Sequence, residues 1–298
     1  MNLSRRSIGA MQIVTSAACF GLLGIFGKQA FAAGITPAEL LSTRFAIASL
    51  ILWSFVLLTR PHILSLDKRQ ILACAILGIF GYALFTSLYF EALVFLSASL
   101  TVLLLYTFPV IVTIGAWILF KERISSAQIL ALPIVMLGLI LLLRGDTNVI
   151  AWQGVVLGLL SAVCYSAYVL ASSRLLHSTN PLAAGLLIMT FAALTMIFRS
   201  PPDISRLVNY NASAWIAILG LALVSTILAM ILFLKGLEKL TNAEASMLST
   251  IEPLTATILA TIVLGETLSP LQIAGGAFVL GALLASSLGS SKQQSELV

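Results

Sequence analysis

Residues 108–129, FPVIVTIGAWILFKERISSAQI, align without a gap with residues 252–273, EPLTATILATIVLGETLSPLQI. The offset is 144 residues, and it brings Glu122 over Glu266 and one QI pair over the other. Self-similarity at a fixed offset indicates an internal structural repeat. The alignment therefore predicts that one helical segment near the middle of the chain recurs near its C-terminal end.

The same relationship extends to the first part of the chain. SAACF, residues 16–20, lies over SAVCY, residues 161–165, at an offset of 145. The two alignments together predict that the 298-residue chain holds two copies of one unit, in residues 1–146 and residues 147–298.

Composition places both copies in a lipid bilayer. The chain is 60% hydrophobic and only 9% charged, which lies far outside the range of soluble domains. A spanning helix needs about 20 mostly apolar residues. Ten stretches bounded by charges, prolines or glycines meet this need approximately: Ile8 to Phe26, Pro37 to Leu58, Gln70 to Phe90, Ala98 to Phe120, Ala127 to Leu143, Gln153 to Leu170, Pro181 to Ile197, Ala212 to Leu234, Ala243 to Leu264 and Pro270 to Leu288. The predicted fold is an all-α membrane protein of ten transmembrane helices, five in each copy.

The distribution of basic residues predicts the orientation. Because five is odd, the second copy must enter the membrane upside down, which makes the repeat an inverted one. With the N-terminus inside, eleven of the 16 lysines and arginines fall on the inner side and one, Arg44, lies within a helix. The outer loops hold only Lys28, Arg144, Arg199 and Arg206. Since cytoplasmic loops accumulate basic residues, we expect a protein of the cytoplasmic (inner) membrane with both termini in the cytoplasm.

Several classes of protein fit this pattern poorly. The sequence pI of 9.3 follows from membrane orientation, so no nucleic-acid partner is predicted. The predicted helices contain no histidine, no paired carboxylates and no metal-ligand cluster, so neither catalysis nor a bound metal is expected. No G-x-x-x-x-G-K-[ST] phosphate-binding loop occurs, and no cofactor is predicted. A membrane-embedded enzyme and an ion channel remain as alternatives from other classes.

Four stretches resemble one known family. They are CFGLLGIFGKQA (residues 19–30), STRFAIASLIL (42–52), EALVFLSASLTVLLLYTFPVIVTIGAWILFKERIS (91–125) and STIEPLTATILATIVLGETLSPLQIAG (249–275). In this order they resemble the EamA type of the drug/metabolite transporter superfamily over nearly the whole chain. The resemblance implies a ten-helix transporter, usually an exporter of amino acids or other small metabolites.

Polar and aromatic side chains form stripes at helical spacing on the third, fourth and sixth predicted helices. Facing lipid would leave their hydrogen bonds unmade, so the stripes should face a neighbouring helix or a water-filled cavity. The candidate substrate-binding residues are Tyr82, Thr86 and Tyr89 on the third helix, Ser99 and Tyr106 on the fourth, Tyr165 and Tyr168 on the sixth, and Ser249 and Glu252 on the ninth.

Glu252 is a carboxylate in an otherwise apolar run, LSTIEPLTATIL, residues 248–259. An ionised carboxylate near the middle of a membrane costs several kcal/mol unless it is paired or hydrated. One alternative is an ion pair with Arg44, which would hold the outer half of the helix bundle together beside Pro253. The other is that Glu252 lines the cavity, where it binds a substrate ammonium group or titrates a coupling proton.

The sequence thus favours a secondary transporter that moves a small amphiphilic metabolite outward by alternating access. An aromatic, mostly uncharged cavity suits a neutral or aromatic amino acid, and export of multiple drugs or of other small solutes is the alternative. The expected partners are the small-molecule substrate and the bilayer. The sequence does not specify an oligomeric state, and a monomer is compatible with it.

Overall fold

The structure is a computed structural model that describes residues 5–121, 126–144, 151–176, 179–237, 239–240, 248–249 and 251–295. The described residues form helices and turns, with no strand among them. In chain order we label the apolar helices of this part α1 (Arg5–Ala32), α2 (Pro37–Thr59), α3 (Lys68–Phe95), α4 (Ala98–Phe120), α5 (Ser126–Arg144), α6 (Trp152–Leu175), α7 (Pro181–Arg199), α8 (Ala212–Gly236), α9 (Ile251–Leu264) and α10 (Pro270–Ser295). Two short elements lie in loops, a 3₁₀ turn at Pro61–Leu64 and a helix at Ile204–Asn209.

Seven of these helices are long and apolar enough, by length and composition, to cross a membrane. They are α1 to α4 and α6 to α8. The apolar parts of the other three are shorter within the described residues, at Ile129–Leu141, Ile251–Leu264 and Pro270–Ala282. The predicted start of the ninth span, at Ala243, lies outside the described residues, as does Glu122 of the repeat.

Side-chain caps explain where several helices begin. Thr36 accepts a hydrogen bond from the backbone N–H of Glu39 at the start of α2, and Asn211 accepts one from Ala214 at the start of α8. At the start of α3, Asp67 and Gln70 form a reciprocal capping box. Such caps satisfy backbone N–H groups that have no partner in the first helical turn. They place the helix starts in the polar loops between apolar runs.

Four helices depart from the uninterrupted spans that hydropathy predicts. α1 is broken at Leu22, and α4 is broken around Thr107, just before Pro109. α3 and α8 each contain a wide π-helical segment, at Leu77–Ala83 and Gly220–Leu228. Proline removes a backbone donor and π turns widen the helix, so both features change the direction of the side chains that follow.

The packing of the helices comes in matched sets. α3 packs against α6 as α8 packs against α1, and α4 packs against α6 as α9 packs against α1. α3 contacts α7 as α2 contacts α8, and three further contacts join α2 to α7, α4 to α9 and α5 to α10. Each of these contacts maps onto another, or onto itself, when the first five helices are exchanged with the last five.

Glycines let several of these helices approach closely. A Cβ at Gly78 would lie 2.6 Å from the carbonyl oxygen of Ile188, and one at Gly21 would lie 2.9 Å from that of Glu252. Backbone atoms cannot move aside as a flexible side chain can, so these crossings require glycine. The second crossing fixes α1 against the part of α9 that carries Glu252.

Candidate functional site

A cavity of about 500 Å³ lies between the two halves of the chain. Its lining comes from α1 to α4 of the first half and from α6 to α9 of the second. The structure brings together at this cavity most of the residues that sequence spacing selects: Tyr82, Thr86, Tyr89, Tyr106, Tyr165, Tyr168, Ser249 and Glu252, together with Arg44. Their role in binding stays a prediction.

One wall of the cavity is a cluster of aromatic rings. The rings of Tyr165 and Tyr168 on α6 are stacked, with centroids 5.9 Å apart and planes 16° apart. Phe85 and Phe108 each place a ring centroid 4.7 Å from that of Tyr165. Tyr82 meets the Phe85 ring edge to face at 5.1 Å. Rings in these arrangements give a rigid apolar surface with phenolic groups at its edge.

Glu252 contacts the cavity beside Tyr106. The Tyr106 hydroxyl lies 3.0 Å from Oε2 of Glu252 and 3.1 Å from the carbonyl oxygen of Ser249. The hydroxyl has one proton, so it cannot donate fully to both acceptors at once. Which acceptor receives the proton therefore depends on whether Glu252 is itself protonated or has another donor.

Arg44 is 1% exposed and lines the cavity from α2. Its Nε donates to Oγ1 of Thr226 at 2.8 Å, and that hydroxyl donates in turn to the carbonyl oxygen of Leu221. The guanidinium carbon lies 4.9 Å from the ring centroid of Phe45 and 5.7 Å from that of Phe90. Nη1 is buried without a hydrogen-bond partner in the described part of the chain.

The ion pair between Arg44 and Glu252, one of the two alternatives that the sequence allows, does not form in this structure. Arg44 bonds to Thr226 and Glu252 bonds to Tyr106. The reason is that each charged group is held on its own side of the cavity by a hydroxyl and by neighbouring rings, which helical spacing along the sequence could not reveal.

Ser99 lies elsewhere, which corrects its place among the candidate cavity residues. Its N–H and hydroxyl both donate to Oε2 of Glu266, at 3.1 and 2.8 Å, while the N–H of Ala98 donates to Oε1 at 2.6 Å. The carboxylate thus satisfies free N–H groups at the start of α4, where the helix dipole also favours a negative charge. Ser99 serves this helix start rather than the cavity.

Several lining residues have no clear signal in the sequence. They are mostly apolar and include Phe20, Phe85, Phe108, Met189, Met230 and Phe233. In a chain that is 60% hydrophobic, an apolar residue gives no contrast by which to distinguish a cavity wall from a lipid-facing surface. Phe85 could have been found from its spacing, since it follows Tyr82 by one helical turn on the same stripe.

A second polar cluster lies at the start of α2, away from the cavity. Arg206 pairs with Oε2 of Glu39 at 3.1 Å, and the Tyr210 hydroxyl donates to Oε1 of Glu39. Partial burial and the neighbouring carboxylate raise the pKa of Tyr210 to about 12, because both disfavour a phenolate. In the same loop, hydrogen bonds from Ser205 and Arg206 lower the pKa of Asp203. This cluster ties the loop before α8 to α2 without reaching the cavity.

Comparison with known proteins adds an independent observation. The family model described as EamA-like transporter family matches residues 7–144 and again residues 152–288. An uncharacterized transporter of Bacillus subtilis (strain 168), YcbK, is 28% identical over 279 residues, covering 90% of this chain and 88% of that protein. The threonine/homoserine exporter RhtA of Escherichia coli (strain K12) is 28% identical over 255 residues, covering 83% and 79%.

Two further comparisons show lower sequence identity. A probable amino-acid metabolite efflux pump of Salmonella typhimurium is 24% identical over 181 residues, which cover 57% of this chain and 60% of that protein. One solved crystal structure superposes with a TM-score of 0.66 over 96% of this chain and 98% of that one, at 16% identity. At 16% identity, the superposition is evidence for the fold and not for the function.

Proposed function

This chain belongs to the EamA-like transporter family, and we propose that it exports a small amphiphilic metabolite, a neutral or aromatic amino acid, by alternating access. The observation that carries this proposal is the cavity between the two halves, to which both halves contribute four helices each. A site shared in this way can open toward one side or the other when the halves exchange conformations.

We further propose that the chain crosses the membrane ten times, as two inverted units in residues 1–146 and 147–298. The matched contacts between the two halves support this arrangement, because each of those described above has a counterpart, or is its own counterpart, when the halves are exchanged. Both termini would then lie in the cytoplasm and the protein in the cytoplasmic (inner) membrane, as the distribution of lysine and arginine predicts.

The cavity lining has the same internal correspondence. An offset of 144 residues converts one lining residue into another in six pairs: Arg44 and Ile188, Tyr82 and Thr226, Thr86 and Met230, Tyr89 and Phe233, Leu105 and Ser249, and Phe108 and Glu252. An offset of 145 does so for Phe20 and Tyr165 and for Leu23 and Tyr168. Equivalent positions of the two units therefore surround one space, as expected of a midplane site between inverted repeats.

The chemistry of the lining supports an amphiphilic substrate. Rings and methionines offer a large apolar surface, while Glu252 and the tyrosine hydroxyls offer polar groups at a few points. Relatives named as exporters of amino acids or their metabolites agree with this choice. The predominance of apolar surface also favours a second candidate, export of several unrelated hydrophobic compounds.

Flux through proteoliposomes tests the proposal. Vesicles containing the purified protein and preloaded with unlabelled L-phenylalanine should accumulate labelled L-phenylalanine by counterflow, with a rate that saturates as its concentration rises. Protein-free vesicles serve as the control, and Tyr165→Ala should reduce the flux because it removes the centre of the aromatic wall. Unitary currents would identify a channel instead, and chemical conversion of the label would identify an enzyme.

A further inference from the structure

Arg44 is a buried cation without a counter-charge, although it faces a cavity. Among the described residues it forms no ion pair, and its Nη1 has no hydrogen-bond partner. An unpaired charge inside a membrane protein is costly, and such groups almost always face water, a partner charge or a ligand. We propose that Arg44 binds the carboxylate of the transported substrate, and this inference rests on the proposed function.

The contacts of Arg44 hold the guanidinium in place without using the donors that a carboxylate needs. Thr226 engages Nε, and the rings of Phe45 and Phe90 lie near the guanidinium carbon. The terminal nitrogens of an arginine form a planar fork that matches two carboxylate oxygens. Nη1 belongs to this fork and has no partner among the described residues, so it is a donor that remains for a ligand carboxylate.

The positions of the two cavity charges strengthen this assignment. Offsets of 144 and 145 convert Arg44 into Ile188 and Met189, and both of these line the cavity. The equivalent of Glu252 in the first half is Phe108, which also lines it. Each charged residue therefore stands where the other half has an apolar one. Arg44 is a base from the first half, and Glu252 is an acid from the second.

This asymmetry defines the class of substrate. Arg44 and Glu252 line the same cavity of about 500 Å³, so one small molecule held there can contact both groups. A molecule with a carboxylate toward Arg44, an ammonium toward Glu252 and an apolar body against the rings satisfies all three surfaces. The substrate is thus a zwitterion with an aromatic or large apolar side chain, and a cationic amphiphile would leave Arg44 without a partner.

Three probes that share one phenyl ring test the proposal in the wild-type protein. They are L-phenylalanine, L-phenylalaninamide, which lacks the carboxylate, and 3-phenylpropanoate, which lacks the amine. Each competes, unlabelled, against counterflow of labelled L-phenylalanine. We expect L-phenylalaninamide to compete about 10-fold or more weakly than L-phenylalanine, since a charged hydrogen-bonded pair is lost. Equal competition by the two would overturn the proposal for Arg44 while leaving transport intact.

Arg44→Gln removes the charge and tests the residue itself. The half-saturating concentration of L-phenylalanine should rise about 10-fold, to that of the amide, while competition by the amide stays unchanged. Arg44→Lys should restore part of the difference because it keeps the cation. An equal loss for all three probes would make Arg44 a structural residue and contradict the proposal. If the wild-type protein gave no L-phenylalanine counterflow, the proposed function and this inference would fail together.

Discussion

At the scale of single residues, Tyr106 links the protonation and ligand state of Glu252 to the backbone just before α9, at Ser249. When Glu252 is ionised and without a ligand, the phenol can donate to its Oε2, whereas a neutral or ligand-bound Glu252 leaves that proton for the Ser249 carbonyl. The Tyr106 hydroxyl oxygen is already within hydrogen-bond distance of both acceptors, 3.0 Å from Oε2 of Glu252 and 3.1 Å from the Ser249 carbonyl oxygen. Exchange between them requires rotation of one O–H bond and no movement of the backbone.

Glu252→Gln keeps the shape of the side chain and removes its charge. We expect the half-saturating concentration for L-phenylalanine counterflow to rise about 10-fold, because an ammonium group would lose a charge-assisted bond of about 1.5–3 kcal/mol. The matched control is Glu91→Gln, a change of the same kind on α3 at a residue that does not line the cavity. Unchanged saturation in the first variant would mean that Glu252 does not contact the substrate.

Helical spacing in the sequence predicts which residues lie on the same face of one helix. It does not predict contacts with a partner that is distant in the sequence. Tyr82, Thr86 and Tyr89 reach the cavity together because helical periodicity puts them on one face. Ser99 has the same chemistry but binds Glu266, 167 residues away. Thr226, which orients Arg44 across 182 residues, could not be selected for the same reason.

At the scale of helices, the crossing of α1 and α9 positions the acid. Gly21 lies so close to α9 that an added Cβ would be 2.9 Å from the carbonyl oxygen of Glu252 and 3.1 Å from the nitrogen of Ala256. Both are backbone atoms, so α9 itself would have to move. The orientation of Glu252 thus depends on a missing methyl group on another helix.

Gly21→Ala should therefore destabilise the protein by about 1–3 kcal/mol, the usual cost of forcing extra volume into a packed contact. Thermal unfolding in detergent measures this as a lower melting temperature. Gly281→Ala on α10 is the control, because nothing lies within 4 Å of the added Cβ and alanine favours a helix by about 0.5–1 kcal/mol over glycine. Equal melting temperatures for the two variants would contradict the close crossing.

The helix interruptions mark the limit of prediction from hydropathy. The length of an apolar run predicts a membrane-spanning helix. It does not indicate whether the backbone N–H groups bond to the fourth preceding residue, as in an α-helix, or to the fifth, as in a π-helix. The wide segments at Leu77–Ala83 and Gly220–Leu228 contain no proline to announce them. The break in α4 was foreseeable only in part, from Pro109.

At the scale of the whole molecule, the proposed ten-span topology puts two of the described loops on opposite faces of the membrane. The loop that contains Glu266 would lie outside, while the loop between α2 and α3 would lie inside. Thr267 and Ser65 are exposed in these two loops, which makes them a matched pair of reporter positions.

Cysteine labelling in intact cells tests this arrangement. With Cys19, Cys74 and Cys164 replaced by alanine, Thr267→Cys should react with a membrane-impermeant thiol reagent added outside. Ser65→Cys should react only after lysis, because its loop would face the cytoplasm in the proposed topology. The reverse pattern would invert the orientation, and labelling of both from outside would rule out inverted repeats.

The matched wide turns of α3 and α8 have a consequence for the history of the chain. A π turn holds one more residue than an α turn, so each marks the place of an extra residue in a helix. Both occur in the third helix of a family match, at Leu77–Ala83 and Gly220–Leu228. The simplest descent is that an ancestral five-helix protein already carried the extra residue before its gene was duplicated. Present-day single-unit descendants of that ancestor should then have a wide turn in the third helix, whatever they transport.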